Sequence, residues 1–335
     1  MKKNIGAKTA FDIIAIGEAQ RDIFYLLDEA TLSCQLNKER CLLCLEYANK
    51  IPVRHVVKVP AAGNSANAAV GASRLGLKAA LVSWIGTDHA GQHLKEALKL
   101  EKVALKYVLA DPKHPTSEAT NLTYQGEKTQ LVYFQPRVHV FPPLQAARCL
   151  YYSAVGIKHA GCDAKVLAYL RKNPQTFFVF QPGTTHIRTG LEANKPFIAK
   201  SRIFILNKQE AEQLLGDSAH TMCSLLDDFH KLGAANVIIT DGKNGADGFD
   251  GKNHWHMPTF PVEIVETTGA GDSFAIGVTA AMLKGQPLEE ALRWGTANSW
   301  SVIQQIGPQK GLLNAKQMRR VLNKFAKVKP TLHKH

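Results

Sequence analysis

The sequence predicts an α/β fold of three layers (α/β/α), a mainly parallel sheet between helices, with a small β-sheet lid appended. Three observations carry this expectation. Short, nearly all-apolar runs alternate with runs of helical length, the pattern of a parallel sheet covered on both faces. Two stretches, about 20–62 and 112–137, interrupt the alternation with β-like runs and no convincing long helix. The 335 residues, 45% apolar and 21% charged, suffice for one large core and exclude disordered, collagen-like or coiled-coil chains.

Taken in order, residues 11–17 (Phe-Asp-Ile-Ile-Ala-Ile-Gly) read as a buried central strand ending at a glycine. An Ala-rich helix is expected from about Ser65 to Leu75, stopped by Gly76, then a strand at 79–85 and a helix from Gly91 to Leu100. Further on, the spacing predicts helices near 163–172, 208–215, 218–232 and 272–284, and strands at 177–180, 203–206 and 237–240. In the two interrupting stretches, 40–47, 53–59, 116–124 and 129–134 are β-like, and Gly126 marks a hairpin turn. These are read as one small sheet built from two insertions in a single domain spanning 1–335, placed where α/β enzymes carry moving covers.

No apolar run approaches the roughly 18 residues of a membrane helix, and no secretory leader is evident, so a cytoplasmic chain without a membrane partner is expected. The net charge of +13 would suit phosphate-bearing partners, but the Lys and Arg residues are scattered and form no aromatic-interleaved ladder. A nucleic-acid partner is therefore not expected. The six cysteines, at 34, 41, 44, 149, 162 and 223, are read as free thiols, with Cys41 to Leu45 as a buried strand. His254 and His256 flank Trp255 with the period of a half-exposed strand rather than a metal site.

The strongest chemical signal is Glu266-Thr267-Thr268-Gly269-Ala270-Gly271-Asp272-Ser273-Phe274, running into an apolar helix. Glycines at 269 and 271 let backbone N–H groups approach an anion at a helix N-terminus. Asp272 would sit in the first turn beside that anion, where it can accept a hydroxyl proton; an alternative is that it merely caps the helix. Phe274 replaces the third glycine of a dinucleotide fingerprint, and Gln92-His93 replaces the Lys and Ser/Thr of a P-loop, so both are excluded.

Along nearly its whole length the chain resembles the ribokinase-like (PfkB) carbohydrate and nucleoside kinases. The resemblance rests on Gly17-Glu18 with Asp22, on Ala62 to Asn67 running into Arg74-Leu75-Gly76, and on Gly86-x-Asp88-x-x-Gly91. Asn207-x-x-Glu210, Thr240 to Gly245, Thr268 to Asp272 and Ala297-Asn298 follow in the family's order. The resemblance implies a ribokinase-like fold and ATP-dependent transfer of a phosphoryl group to a hydroxymethyl group of a sugar or nucleoside. It assigns Asp272 as general base and the amides of Gly269, Ala270, Gly271 and Asp272 as an anion hole. Asp22, Gly63, Asn64 and Asn67 would bind the acceptor; Asn207, Thr240, Gly242, Gly245 and Asn298 would bind the nucleotide. Glu210 would hold Mg²⁺, through water. Two alternatives stay open: a sugar acid or sugar phosphate as acceptor, or a sugar- or nucleoside-binding sensor without catalysis. Dimerisation through the lid is a further implication.

Some positions depart from the family's pattern. Glu266 replaces the usual Asp and weakens the expectation of a K⁺ site; Ser65 replaces a common glycine; Gln181 stands where Asn or Asp is frequent. Lys243, Arg137 and Arg188 are candidate phosphate contacts, with Arg137 read as a solvated side chain.

Overall fold

The computed structural model describes residues 9–34, 41–157, 159–216 and 220–333. In chain order the first strands are β1 (Phe11–Ile16), β2 (Gln20–Leu27), β3 (Thr31–Cys34), β4 (Cys41–Cys44), β5 (Val53–Ala62), β6 (Ala79–Gly86), β7 (Ala104–Asp111), β8 (Glu118–Tyr124) and β9 (Glu127–Tyr133). They are followed by β10 (Ala147–Tyr152), β11 (Phe177–Phe180), β12 (Ile203–Asn207), β13 (Val237–Thr240), β14 (Ala246–Phe249), β15 (His254–Met257) and β16 (Thr331–Leu332). The helices are α1 (Asn64–Arg74), α2 (His89–Leu100), α3 (Ala160–Lys172), α4 (Thr184–Thr189), α5 (Leu191–Ile198), α6 (Lys208–Leu215), α7 (Met222–Lys231), α8 (Ala270–Leu283), α9 (Leu288–Val302) and α10 (Ala315–Lys324).

Ten strands form the main sheet in the order β16-β15-β14-β13-β12-β11-β10-β1-β6-β7. Pairing is parallel from β13 to β7, and the three strands beyond β13 are antiparallel. One face packs residues of α1, α8, α9 and α10, the other residues of α3, α5, α6 and α7, which gives the three layers. Strand β1 lies between β6 and β10, and its apolar run is buried because both faces are covered. The chain leaves β1 toward β6 and β7, then returns to β10 on the other side. That reversal opens a crevice at the carboxyl ends of the strands, where α/β sheets bind ligands.

Over this crevice lies a second sheet of four strands, β5-β2-β8-β9, with β2 and β8 parallel. The two insertions thus build one small sheet, with one correction. Of the run 40–47, Arg40 lies outside the described residues and 41–47 do not join it. Only Cys41–Cys44 is extended, paired with β3 in a separate hairpin, and Leu42, Leu45 and Tyr47 are exposed. An apolar run looks buried in sequence, but here its single partner strand covers one edge and no face. The hairpin also corrects the expectation of six free thiols: its register puts Cys34 opposite Cys41, and the two form a disulfide. Among the described residues, no helix is long and apolar enough to cross a membrane.

Candidate active site

The crevice and the lid enclose a cavity of about 840 Å³. Its floor comes from the loops that enter α1 and α8, its sides from the carboxyl ends of β11, β12 and β13, and its roof from β2 and β9. Gly269 makes the entry to α8 possible. Its φ of +78° is left-handed, and a Cβ there would lie 2.4 Å from Pro308. Gly63 does the same for α1, at φ +97° with Glu18 O 2.5 Å from any added Cβ.

Asp272 stands in the first turn of α8, held at both oxygens. Asn67 Nδ2 donates to Oδ2 at 2.8 Å and Gln181 Nε2 donates to Oδ1 at 3.2 Å. Asn67 is itself oriented, because Gln309 Nε2 donates to its Oδ1 at 3.0 Å and also to Ala61 O. Burial raises the Asp272 pKa above the ordinary carboxylate value; the two amide donors and Lys128 pull it back. Asp22 is 2% exposed and takes a 2.7 Å hydrogen bond from Gln20. Burial pushes its pKa up to about 6, with the Asp272 and Glu266 charges adding to the rise and Gln20 and Lys128 opposing it.

At the other end of the cavity, Asn207 caps α6. Its Oδ1 accepts from Glu210 N at 2.9 Å while Glu210 Oε2 accepts from Asn207 N at 3.0 Å. The capping pair leaves the second Glu210 oxygen for a hydrated cation, and burial raises the Glu210 pKa. One carboxylate oxygen at a phosphate-sized space is a donor set that suits Mg²⁺ bound largely through water.

The cavity gathers Asp22, Gly63, Asn64, Asn67, Asn207, Glu210, Thr240 and Gly269 to Asp272. Three expected residues are not on it. Asn298 is fully buried: its Nδ2 donates to Ser273 O at 2.7 Å and its Oδ1 accepts from Leu313 N at 3.0 Å, so it ties α9 to α8 and to the loop at Leu313. Gly242 and Gly245 shape the turn after β13, outside the cavity lining. Of the four anion-hole amides, Ala270 N donates to Thr267 O at 3.2 Å, whereas the Gly269, Gly271 and Asp272 N–H groups have no protein acceptor among the described residues.

Arg137 is 1% exposed rather than solvated: it donates to Pro115 O, and Glu18 lies 3.9 Å from its Nε. The cations that do line the cavity are Lys128, from β9, and Arg188. Lys128, Gln20 and Gln309 had no motif in the sequence to single them out; Gln181 drew notice only as a departure. Glu266 is buried, with Oε1 taking the N–H and hydroxyl of Thr268 and Oε2 taking Gly307 N at 3.2 Å.

Comparison with known proteins agrees with this geometry. The family model described as pfkB family carbohydrate kinase matches residues 25–315. An ATP-dependent 6-phosphofructokinase of Thermoanaerobacterium thermosaccharolyticum is 27% identical over 258 residues, 73% of this chain and 79% of the relative. A 5-dehydro-2-deoxygluconokinase of Geobacillus thermodenitrificans is 25% identical over 288 residues, 78% of this chain and 85% of the relative. Among solved structures, Arabidopsis thaliana ribokinase complexed with ribose and ATP superposes with a TM-score of 0.75 at 20% identity, covering 93% of this chain and 99% of that one. A Methanocaldococcus jannaschii nucleoside kinase gives 0.73 at 19% identity, covering 95% and 100%.

Proposed function

The chain belongs to the pfkB family of carbohydrate kinases, and within it we propose an ATP-dependent kinase that phosphorylates a hydroxymethyl group of a sugar or nucleoside. One observation carries this reading: a carboxylate, Asp272, fixed at both oxygens beside two unpartnered helix N–H groups under a lid. As the acceptor hydroxyl attacks the terminal phosphorus of ATP, its proton passes to Asp272 and the bond to ADP breaks. The Gly271 and Asp272 N–H groups face the charge that develops on the transferred phosphoryl group. Glu210 would hold Mg²⁺ through water, and that ion supplies charge neutralisation on the phosphates. Asp22, Asn64 and the backbone at Gly63 offer the mix of donors and acceptors that a polyol needs. Asn207 and Thr240 stand on the nucleotide side. The lid excludes water from the phosphoryl group.

A second reading, an acceptor that carries a phosphate or carboxylate, is favoured by Lys128 and Arg188. Both line the cavity, and neither has a carboxylate within 4.0 Å among the described residues. The Glu266 oxygens already serve protein donors, so the reading includes no K⁺ requirement. It also includes a cytoplasmic homodimer joined at the lid, where Leu131, Val132 and Tyr133 are exposed on β9.

The test is ADP release from Mg·ATP against sugars, nucleosides, sugar acids and sugar phosphates, with Asp272→Asn alongside. Acceptor-dependent turnover lost in the variant supports the kinase; ligand-induced thermal shifts without turnover for any acceptor would instead indicate a sensor. A raised KM of Lys128→Ala confined to anionic acceptors would select the second reading.

A further inference from the structure

At the edge of the main sheet, far along the strand order from the switch point, three strands bring Asp247, His256 and His333 together. Asp247 and His256 are register partners in β14 and β15, and His256 is in turn the partner of Thr331 in β16. His333 continues that strand, its N–H donating to His254 O at 3.0 Å, so it stands on the same face as Thr331. Asp247 is 4% exposed. Its Oδ1 lies 2.9 Å from His256 Nδ1 and 2.6 Å from His333 Nε2, and both imidazoles are partly open to solvent. None of the three lines the cavity or enters the reaction described above.

Two features distinguish this group from a plain hydrogen-bonded staple. Ligand atoms around a tetrahedral ion with bonds of about 2.0–2.1 Å stand roughly 3.3 Å apart. An opening of a few tenths of an ångström, available to rings at a solvent edge, would seat such an ion here. Second, no described residue hydrogen-bonds the outer nitrogens, His256 Nε2 and His333 Nδ1. Each neutral ring is therefore free to carry its proton outward and turn a lone pair toward Asp247. A group of the same composition, His159, Asp163 and His186, fails that requirement. There Gly183 N donates to His186 Nδ1 at 3.3 Å, which leaves the ring proton on Nε2, the atom that faces Asp163 at 3.7 Å.

We propose that Asp247, His256 and His333 form a binding site for a divalent transition-metal ion of the Zn²⁺ type, with water completing the coordination. Two imidazole nitrogens and one carboxylate suit Zn²⁺ or Co²⁺ and not the oxygen-seeking Mg²⁺ of the kinase reaction. The ion ties β16 to β14 one residue beyond Ala246, where the turn after β13 closes, so its effect is on the stability of this sheet edge.

The experiment uses the full, untagged chain, stripped with a chelator and titrated with Co²⁺ or Zn²⁺ in excess Mg²⁺. One equivalent of Co²⁺ should produce visible d–d absorption. Zn²⁺ at about 100 times its Kd should raise Tm by roughly 3–6 °C. His333→Ala, which removes a side chain past the last strand, and His256→Gln should keep the metal-free Tm within a few degrees and lose both signals. Absence of absorption and shift in the unsubstituted protein overturns the proposal. So does undiminished affinity in His333→Ala, which would place the ion elsewhere.

Discussion

Asn67 discriminates between two ways of building this active site. The family resemblance makes it a contact to the acceptor, whereas the geometry makes it a donor to Asp272, 2.8 Å from Oδ2. A hydrogen bond to a charged group is worth about 1.5–3 kcal/mol, so Asn67→Ala should lower kcat/KM by roughly 10- to 100-fold at neutral pH. The sign of the pH effect follows from the same bond. The Asn67 donor stabilises the ionised carboxylate and lowers the pKa of Asp272; without it that pKa rises, and the acid limb of the kcat profile moves to higher pH. Gln309→Ala, which acts on Asp272 through Asn67, should move the limb in the same direction by less. The assay is steady-state ADP release across the acid-to-neutral range, with the acceptor both saturating and limiting. If Asn67→Ala raises KM for the acceptor while kcat and its acid limb stay in place, Asn67 acts on the acceptor and the positioning argument is wrong.

Three further outcomes are expected. Asp22 has a folded pKa of about 6 against an ordinary value of 3.8, so folding favours its protonated form; this contribution to stability is greatest in acid and is lost as pH rises through about 6. Asp22→Asn should therefore stabilise the empty protein at neutral pH by up to roughly 3 kcal/mol in denaturant melts while raising KM for the acceptor, and a less stable variant would refute the sign. Asn298→Ala strands Leu313 N in the core and removes a second donor from Ser273 O, and should destabilise by about 1–3 kcal/mol with KM for ATP unchanged; an ATP-specific defect in a stable variant would return this residue to the nucleotide. Replacing K⁺ by Na⁺ should leave turnover within about twofold, because Glu266 already serves three protein donors, and a strong K⁺ activation measured at constant ionic strength would contradict that.

What the sequence disclosed follows the range of the forces involved. Periodicity and glycine placement are local, so β1, α1, β6, α2, β11, β12, β13 and the glycine-led start of α8 were legible in the sequence, whereas β10 and the left-handed φ of Gly269 were not. Nor was pairing between distant segments. Cys41-Leu42-Leu43-Cys44 has the composition of a buried strand, and only its partner β3 decides that it is an exposed hairpin. Gln309 reaches Asn67 across 242 residues, and Lys128 enters the cavity only because β9 pairs with β8, which in turn pairs with β2 in the lid. Asn298 shows the converse: the family resemblance pointed to the position, but the contacts it makes are set by the helix α8 and the loop at Leu313 that it joins.

The electrostatics of the cavity make sense only with substrates in place. Asp22, Asp272 and Glu210 are three carboxylates around one space, and each has a raised pKa, chiefly from burial. Asp272 raises the pKa of both others, which is the signature of like charges held closer than water would leave them. Burial without compensation is costly, so such an arrangement persists where ligands complete it. The hydroxyls of an acceptor can donate to Asp22 and Asp272, and a hydrated cation can sit against Glu210. The phosphates of a nucleotide would in turn meet the two unpartnered N–H groups of α8 and the side chains of Lys128 and Arg188. Each ligand thus relieves a charge that the other leaves exposed. Acceptor and Mg·nucleotide should therefore bind with positive coupling, each tightening the other by the same factor at equilibrium, and calorimetric titration with a non-hydrolysable nucleotide that gave independent affinities would refute this account.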